Sequence, residues 1–192
     1  SVDPEIIDPL RRCTRRLKLL TEGLMRLERF RPDEVPVRPR PLDLTEFVEE
    51  LITDYRYDAE SKGLRIETDL EPDLELRADP DLMHDAVANL VENAIKYTDE
   101  GFVRIATRHR DSIVMIAVSD SGEGISEKRQ EELFDPVIPD KPGGVGLGLN
   151  VAIHAARAQS GTIEFESAQG KGSTFTIELP KEVEPREDSK AD

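Results

Sequence analysis

The chain has 192 residues, 37% of them hydrophobic, with a single cysteine and a formal net charge of −15. A core of that size needs no disulfide or metal to hold it, Cys13 has no internal partner, and the acidity argues against nucleic acid or an anionic membrane surface as a partner. No stretch approaches ~18 consecutive apolar residues, and the acidic, proline-broken start lacks the form of a signal peptide, so the expected setting is the reducing cytoplasm.

The first predicted element is a helix over residues 9–30, capped by Asp8 with Pro9 in the first turn. Leu10, Cys13, Leu17, Leu20, Leu24 and Leu27 recur in steps of three and four. That narrow a/d seam predicts a bundle-like helix that packs against other helices. Residues 31–42 hold Pro32, Pro36, Pro39 and Pro41 and read as an extended linker and domain boundary.

Asp43 then opens a helix, with Glu46 placed for a capping box and Gly63 closing it. Residues 64–70 and 74–78 alternate as strands around an Asp/Pro turn. Asp79 and Pro80 start a helix that runs to about Tyr97. Residues 102–108 and 112–119 make a hairpin around Asp111, a short helix follows Ser126, and a proline- and glycine-rich loop leads to a helix over about 149–159. Strands over 162–167 and 173–179 finish the pattern, and residues 181–192 read as a charged disordered tail. The expected fold is α+β: a two-layer α/β sandwich over 43–180, preceded by the bundle-like helix.

Four places carry chemistry. On the helix ending at Tyr97, Asp85, Asn89, Glu92, Asn93 and Lys96 are placed on one face, with Val87, Leu90, Val91, Ala94 and Ile95 opposite. Asparagines are poor helix formers, but their neutral amide oxygens suit Mg²⁺ while leaving phosphate charge for the metal. Lys96, one turn on, is placed to meet a phosphate. Asp120-Ser121-Gly122-Glu123-Gly124-Ile125 follows an apolar strand. A carboxylate there can accept a hydrogen bond from an exocyclic amine such as that of adenine, and the glycines admit close approach of a flat base.

Gly143-Gly144-Val145-Gly146-Leu147-Gly148-Leu149 opens a helix. Successive glycine amides and a helix N-terminus form an anion cradle, although no Lys-Ser/Thr follows as in a Walker P-loop. Gly170-Lys171-Gly172-Ser173-Thr174-Phe175 alone reads as a hairpin turn.

Together and in this order, these segments resemble the histidine-kinase branch of the GHKL ATPase superfamily, over about residues 9–180. NLVENAIKYT (89–98) resembles the N box, DSGEGI (120–125) the G1 box, GGVGLGLNVA (143–152) the G2 box, and LFDP (133–136) a remnant of the F box. The segment 170–180 resembles the final glycine motif.

The resemblance implies ATP and Mg²⁺ as cofactors. Asp120 would read the adenine amino group, Asn93 would hold the metal with Asn89 beside it, and Lys96 would contact phosphate. Tyr97 would line the pocket. Gly122, Gly124 and Ile125 would shape the adenine end, and Thr174 would sit below the base. Gly144, Gly146, Leu147 and Gly148 would belong to the lid over the phosphates.

Residues 1–30 resemble the second helix of a dimerisation and phosphoacceptor hairpin. The implied activity is phosphoryl transfer from ATP to a histidine outside this chain, with a response regulator or phosphotransfer protein downstream and a homodimer through the hairpin. None of His84, His109 and His154 carries the family's acceptor pattern. Two other readings follow from the same fold: a nucleotide-binding pseudokinase or scaffold, and an anti-sigma-type serine kinase. The heptad helix and proline linker argue against the last.

Overall fold

The computed structural model describes residues 35–131 and 147–186. The helix expected over 9–30, the beginning of the linker, and most of the lid lie outside them.

In chain order the elements are β1 (Arg40–Asp43), α1 (Leu44–Ser61), β2 (Arg65–Asp69), β3 (Glu75–Ala78), α2 (Pro80–Tyr97), β4 (Phe102–Arg110), β5 (Ile113–Asp120), α3 (Glu127–Glu131), α4 (Leu147–Ala158), β6 (Thr162–Ser167) and β7 (Ser173–Pro180). Both long helices start on an aspartate cap. Asp43 accepts from the N–H groups of Thr45 at 2.8 Å and Glu46 at 3.1 Å. Asp79 accepts from Asp81 at 3.1 Å and Leu82 at 3.3 Å, with Pro80 in the first turn, where its missing N–H costs nothing.

Five strands form one sheet in the order β2-β4-β5-β7-β6. Only β2 and β4 run parallel; the other pairs are antiparallel. Strict alternation buries Val103 and Ile105 of β4, Val114, Ile116 and Val118 of β5, and Ile177 and Leu179 of β7 on one face. Against that face lie α2, through Met83, Val87, Leu90 and Val91, and α4, through Ala152, Ala155 and Ala156. The two helices pack on each other beside the sheet, giving the two-layer α+β sandwich expected from the pattern.

Three expectations are corrected. β2 and β3 are strands but not a hairpin: β2 joins the main sheet beside β4, whereas β3 pairs with β1 in a separate two-stranded sheet. Alternation marks a strand without fixing its partner, and burying Leu76 and Ala78 takes β3 to β1. From Val35 on, the linker is extended as expected yet belongs to the domain, because Val37 is buried and residues 40–43 form β1. The chain after Pro180 is likewise built in as far as Arg186. Val183 is buried, its N–H bonds the Arg77 carbonyl at 2.9 Å, and Arg186 bridges Val37. Buried Val183 anchors that charged strap together with its main-chain bonds and the Arg186 guanidinium, which donates to the Val35 and Ala158 carbonyls at 3.0 Å.

Candidate functional site

The Asp120 end of the site grows from strand register. Along β5 the inward side chains are Val114, Ile116 and Val118, so Asp120 leaves the end of the strand on the same face. β7 pairs antiparallel with β5 and sets Ser173 opposite Asp120. The Asp120 carboxylate accepts the Gly122 N–H at 2.8 Å, and the Ser173 N–H also bonds it. Burial pushes the carboxyl above its ordinary range, while those two bonds pull the other way.

The chain then turns tightly. A Cβ on Gly122 would collide with the Tyr97 carbonyl oxygen, and Gly124, at φ +62°, would press one into the Ala168 carbonyl. The Ile125 N–H is tied to the Ser167 hydroxyl at 2.8 Å, which seats this loop on β6.

The other end of the site grows from helix packing. Asn89 is only 8% exposed, and its amide donates to the Asp85 carbonyl at 2.6 Å. A Cβ on Gly148 would lie 3.1 Å from the Asn89 Oδ1 and 3.6 Å from both amide atoms of Asn93. The first turn of α4, whose N–H groups have no acceptor within the helix and which forms its positive dipole end, therefore abuts the two asparagines.

A single pocket joins the two ends. α2 contributes Leu90, Asn93, Ala94 and Tyr97; β5 contributes Val118 and Asp120. Glu123, Gly124, Ile125 and Arg129 close one side, with Leu149 of α4 and Ser173 and Phe175 of β7. A slot with apolar walls, a carboxylate at one end and amide oxygens at the other suits a flat polar base joined to an anion.

The structure thus brings Asn93, Tyr97, Asp120, Gly124 and Ile125 to the pocket, with Asn89 behind Asn93 and Gly122 bracing the turn. Lys96 is exposed on the outer side; its ammonium donates to the Tyr97 hydroxyl at 2.7 Å and lies 4.6 Å from that ring centre. Gly144 and Gly146 lie outside the described residues, as does the Leu147 side chain.

Two placements are corrected. Thr174 faces the opposite side of the sheet and shares a 2.9 Å hydrogen bond with Ser119; Ser173 is the residue beside Asp120. The signal was available, because inward Phe175, Ile177 and Leu179 put 173, not 174, on their face. Glu92 does not share the asparagine face: it accepts from the Tyr55 hydroxyl of α1 at 3.0 Å. Counted from Asn89 at about 100° per residue, Asn93 lies roughly 40° to one side and Glu92 roughly 60° to the other, so Glu92 sits at the edge of the stripe, toward α1. Sequence reasoning does not reach Glu123, whose facing depends on a tight glycine turn, or Arg129, since nothing in a five-residue helix such as α3 gives its facing away. His84, His109 and His154 all lie off the pocket lining. His84 borders a groove beside α1, and His109 contacts Glu71 at 2.7 Å.

Residues 78–183 match the family described as histidine kinase-, DNA gyrase B-, and HSP90-like ATPase. The chain belongs to that family. Over 180 residues it is 35% identical to the sensor-like histidine kinase SenX3 of Mycobacterium tuberculosis, covering 90% of this chain and 44% of that protein. The chain therefore spans less than half of this relative's length.

Among solved structures, full-length ShkA in complex with AMPPNP superposes with a TM-score of 0.83 at 21% identity, over 97% of this chain and 41% of that one. The histidine kinase ThkA in complex with the response regulator protein TrrA gives 0.78 at 24%, over 94% and 53%. At those identities the two likenesses establish the fold. Among the described residues no helix is long and apolar enough to cross a membrane.

Proposed function

We propose that this domain binds Mg·ATP in the pocket between Asp120 and Asn93 and serves a two-component sensor histidine kinase. It passes the γ-phosphoryl group to a histidine outside this chain. The observation that carries the reading is the pairing of Asp120, held at a strand end by two main-chain N–H groups, with two asparagines set against the start of α4. Membership of the family and the ATP analogue in the ShkA complex support it.

The residues fit the group. Asp120 offers an acceptor to an exocyclic amine, and Val118, Ile125 and Phe175 supply apolar walls for a base. Asn93, with Asn89 behind it, offers amide oxygens to a hard cation. The first turn of α4 supplies N–H groups to phosphate oxygens. Mg²⁺ supplies neutralisation of phosphate charge when bound. Phosphoryl transfer leaves the protein mainly with positioning and charge stabilisation, and this geometry provides both. Asn89 cannot take a proton from water at neutral pH, so hydrolysis is expected to be slow.

The acceptor histidine would lie on a hairpin whose second helix the sequence of residues 9–30 resembles, and such a hairpin would also give a route to a homodimer. A response regulator would follow, as TrrA partners ThkA, in a cytoplasmic setting. The test is incubation with γ-labelled ATP and Mg²⁺, with and without a separate histidine-bearing hairpin fragment. Acid-labile label should appear on the hairpin and not on this chain. Label on this chain that His84→Ala, His109→Ala or His154→Ala removes would overturn the assignment.

A further inference from the structure

The end of α2 is closed without a glycine cap. The helix stops at Tyr97, and Thr98 is already extended at φ −107° and ψ 122°. A helix end leaves four carbonyls without intrahelical partners, and buried ones must find others. Here each finds one. The Thr98 hydroxyl donates to the Ala94 carbonyl at 2.7 Å, and the Glu123 N–H reaches the Tyr97 carbonyl at 3.4 Å.

The two carbonyls between them are served from another helix. The Lys62 ammonium donates to Ile95 O at 2.7 Å, Lys96 O at 3.2 Å and Thr98 O at 3.1 Å. An ammonium has three N–H donors, and all three are used.

Lys62 is itself the cap of α1, where its main-chain N–H bonds the Ala59 carbonyl at 3.1 Å. Its side chain leaves that cap and crosses to α2. A cation at the negative end of a helix dipole is favourable, and bonds from a charged donor are stronger than neutral ones.

The turn that Lys62 holds is part of the pocket. Tyr97 lines the base end, and its carbonyl oxygen is the surface on which Gly122 rests and to which Glu123 is bonded. Displacing the last turn of α2 would shift Tyr97 against Asp120, the two residues between which a base would lie.

We infer that Lys62 is a positioning residue for base recognition, a clamp from α1 that sets the last turn of α2 against the Asp120 loop. The inference rests on the nucleotide reading above for its functional half. Its structural half stands on the hydrogen bonds alone.

The experiment therefore has two readouts on the full chain, for wild type, Lys62→Met and Lys62→Arg. The first is hydrogen exchange without nucleotide. In Lys62→Met, peptides covering residues 95–99 and 121–124 should exchange about tenfold faster, the loss expected from charged hydrogen bonds at a helix end. The β5 amides should be unchanged. Uniform protection in all regions would overturn the clamp.

The second is the ratio of ATP to GTP affinity by calorimetry. Adenine offers an amine to Asp120 where guanine offers a carbonyl, so wild type should prefer ATP. Lys62→Met should shrink that ratio by about fivefold or more, the order of one ordinary net hydrogen bond, and Lys62→Arg should restore most of it. A substitution that only lowers the folded fraction reduces both affinities equally and leaves the ratio fixed. An unchanged ratio beside faster local exchange would overturn the positioning role. Wild type that bound neither nucleotide would overturn the nucleotide reading and the positioning role with it, while the exchange result would still decide the clamp.

Discussion

The two ends of the pocket are built by different means. At the base end, the position of Asp120 follows from strand register, and the turn after it is held by main-chain contacts at Gly122 and Gly124. At the other end, Asn89 and Asn93 are side chains on one helix, placed by how closely a second helix approaches at Gly148. Register is all-or-none, since a one-residue slip turns every side chain over, whereas helix packing tolerates small adjustments. The base end should therefore fail sharply on substitution, and the phosphate end should fail by degrees and for phosphate-bearing ligands alone.

The largest expected break in that comparison is Gly122→Ala. Its Cβ would meet the Tyr97 carbonyl and lie 2.9 Å from the Asp120 carboxylate, so backbone must move. Overpacking of this kind costs about 1–3 kcal/mol. Urea denaturation should show that loss, and adenosine and ATP should both bind more weakly. Equal binding in a folded variant would remove the distinction between the ends.

Gly148→Ala should do less. A Cβ 3.1 Å from the Asn89 amide oxygen is tight but not forbidden, and α4 can shift by a few tenths of an ångström. Stability should fall by less than about 1 kcal/mol, because alanine also favours a helix over glycine. Adenosine affinity should be kept while ATP affinity drops. Calorimetry with both ligands separates the effects, and a parallel loss of both would contradict the division.

The smallest effect concerns α4 itself. Burial, with Arg157 nearby, holds the His154 imidazole below its usual range. The folded state thus binds a proton less readily than the unfolded chain. Stability should be constant above the unfolded value near 6.5 and fall as pH drops below it, until the folded imidazole also titrates. Denaturation midpoints between pH 7.5 and 5 would show this slope, and His154→Leu should flatten it. An equal slope in that variant would place its cause elsewhere.

Much of the site was legible because its signals are local. Asp120 after an apolar strand, glycines where a turn must be tight, and two asparagines a helical turn apart are all read from neighbours in sequence. What failed was relational. The partner of β2 depends on β4, more than thirty residues later, and no local pattern carries that. The glycine motif points to Thr174, whereas alternation along β7 puts Ser173 beside Asp120. Glu92, at the edge of the asparagine stripe, is drawn to α1 by the Tyr55 hydroxyl, a partner thirty-odd residues earlier that helix periodicity cannot reveal. Val183 lies among charged neighbours whose composition hides one apolar anchor.

The most direct test of the account is calorimetric titration of Mg·ATP into wild type and Asp120→Ala. Removing a partner from a buried, charge-assisted hydrogen bond costs about 1.5–3 kcal/mol, so affinity should fall by roughly tenfold to a hundredfold. Asp120→Ala also removes the acceptor of the Gly122 and Ser173 N–H groups, so urea denaturation of the variant gives its folded fraction and keeps the two effects apart. A folded Asp120→Ala chain that binds Mg·ATP as tightly as wild type would contradict the account.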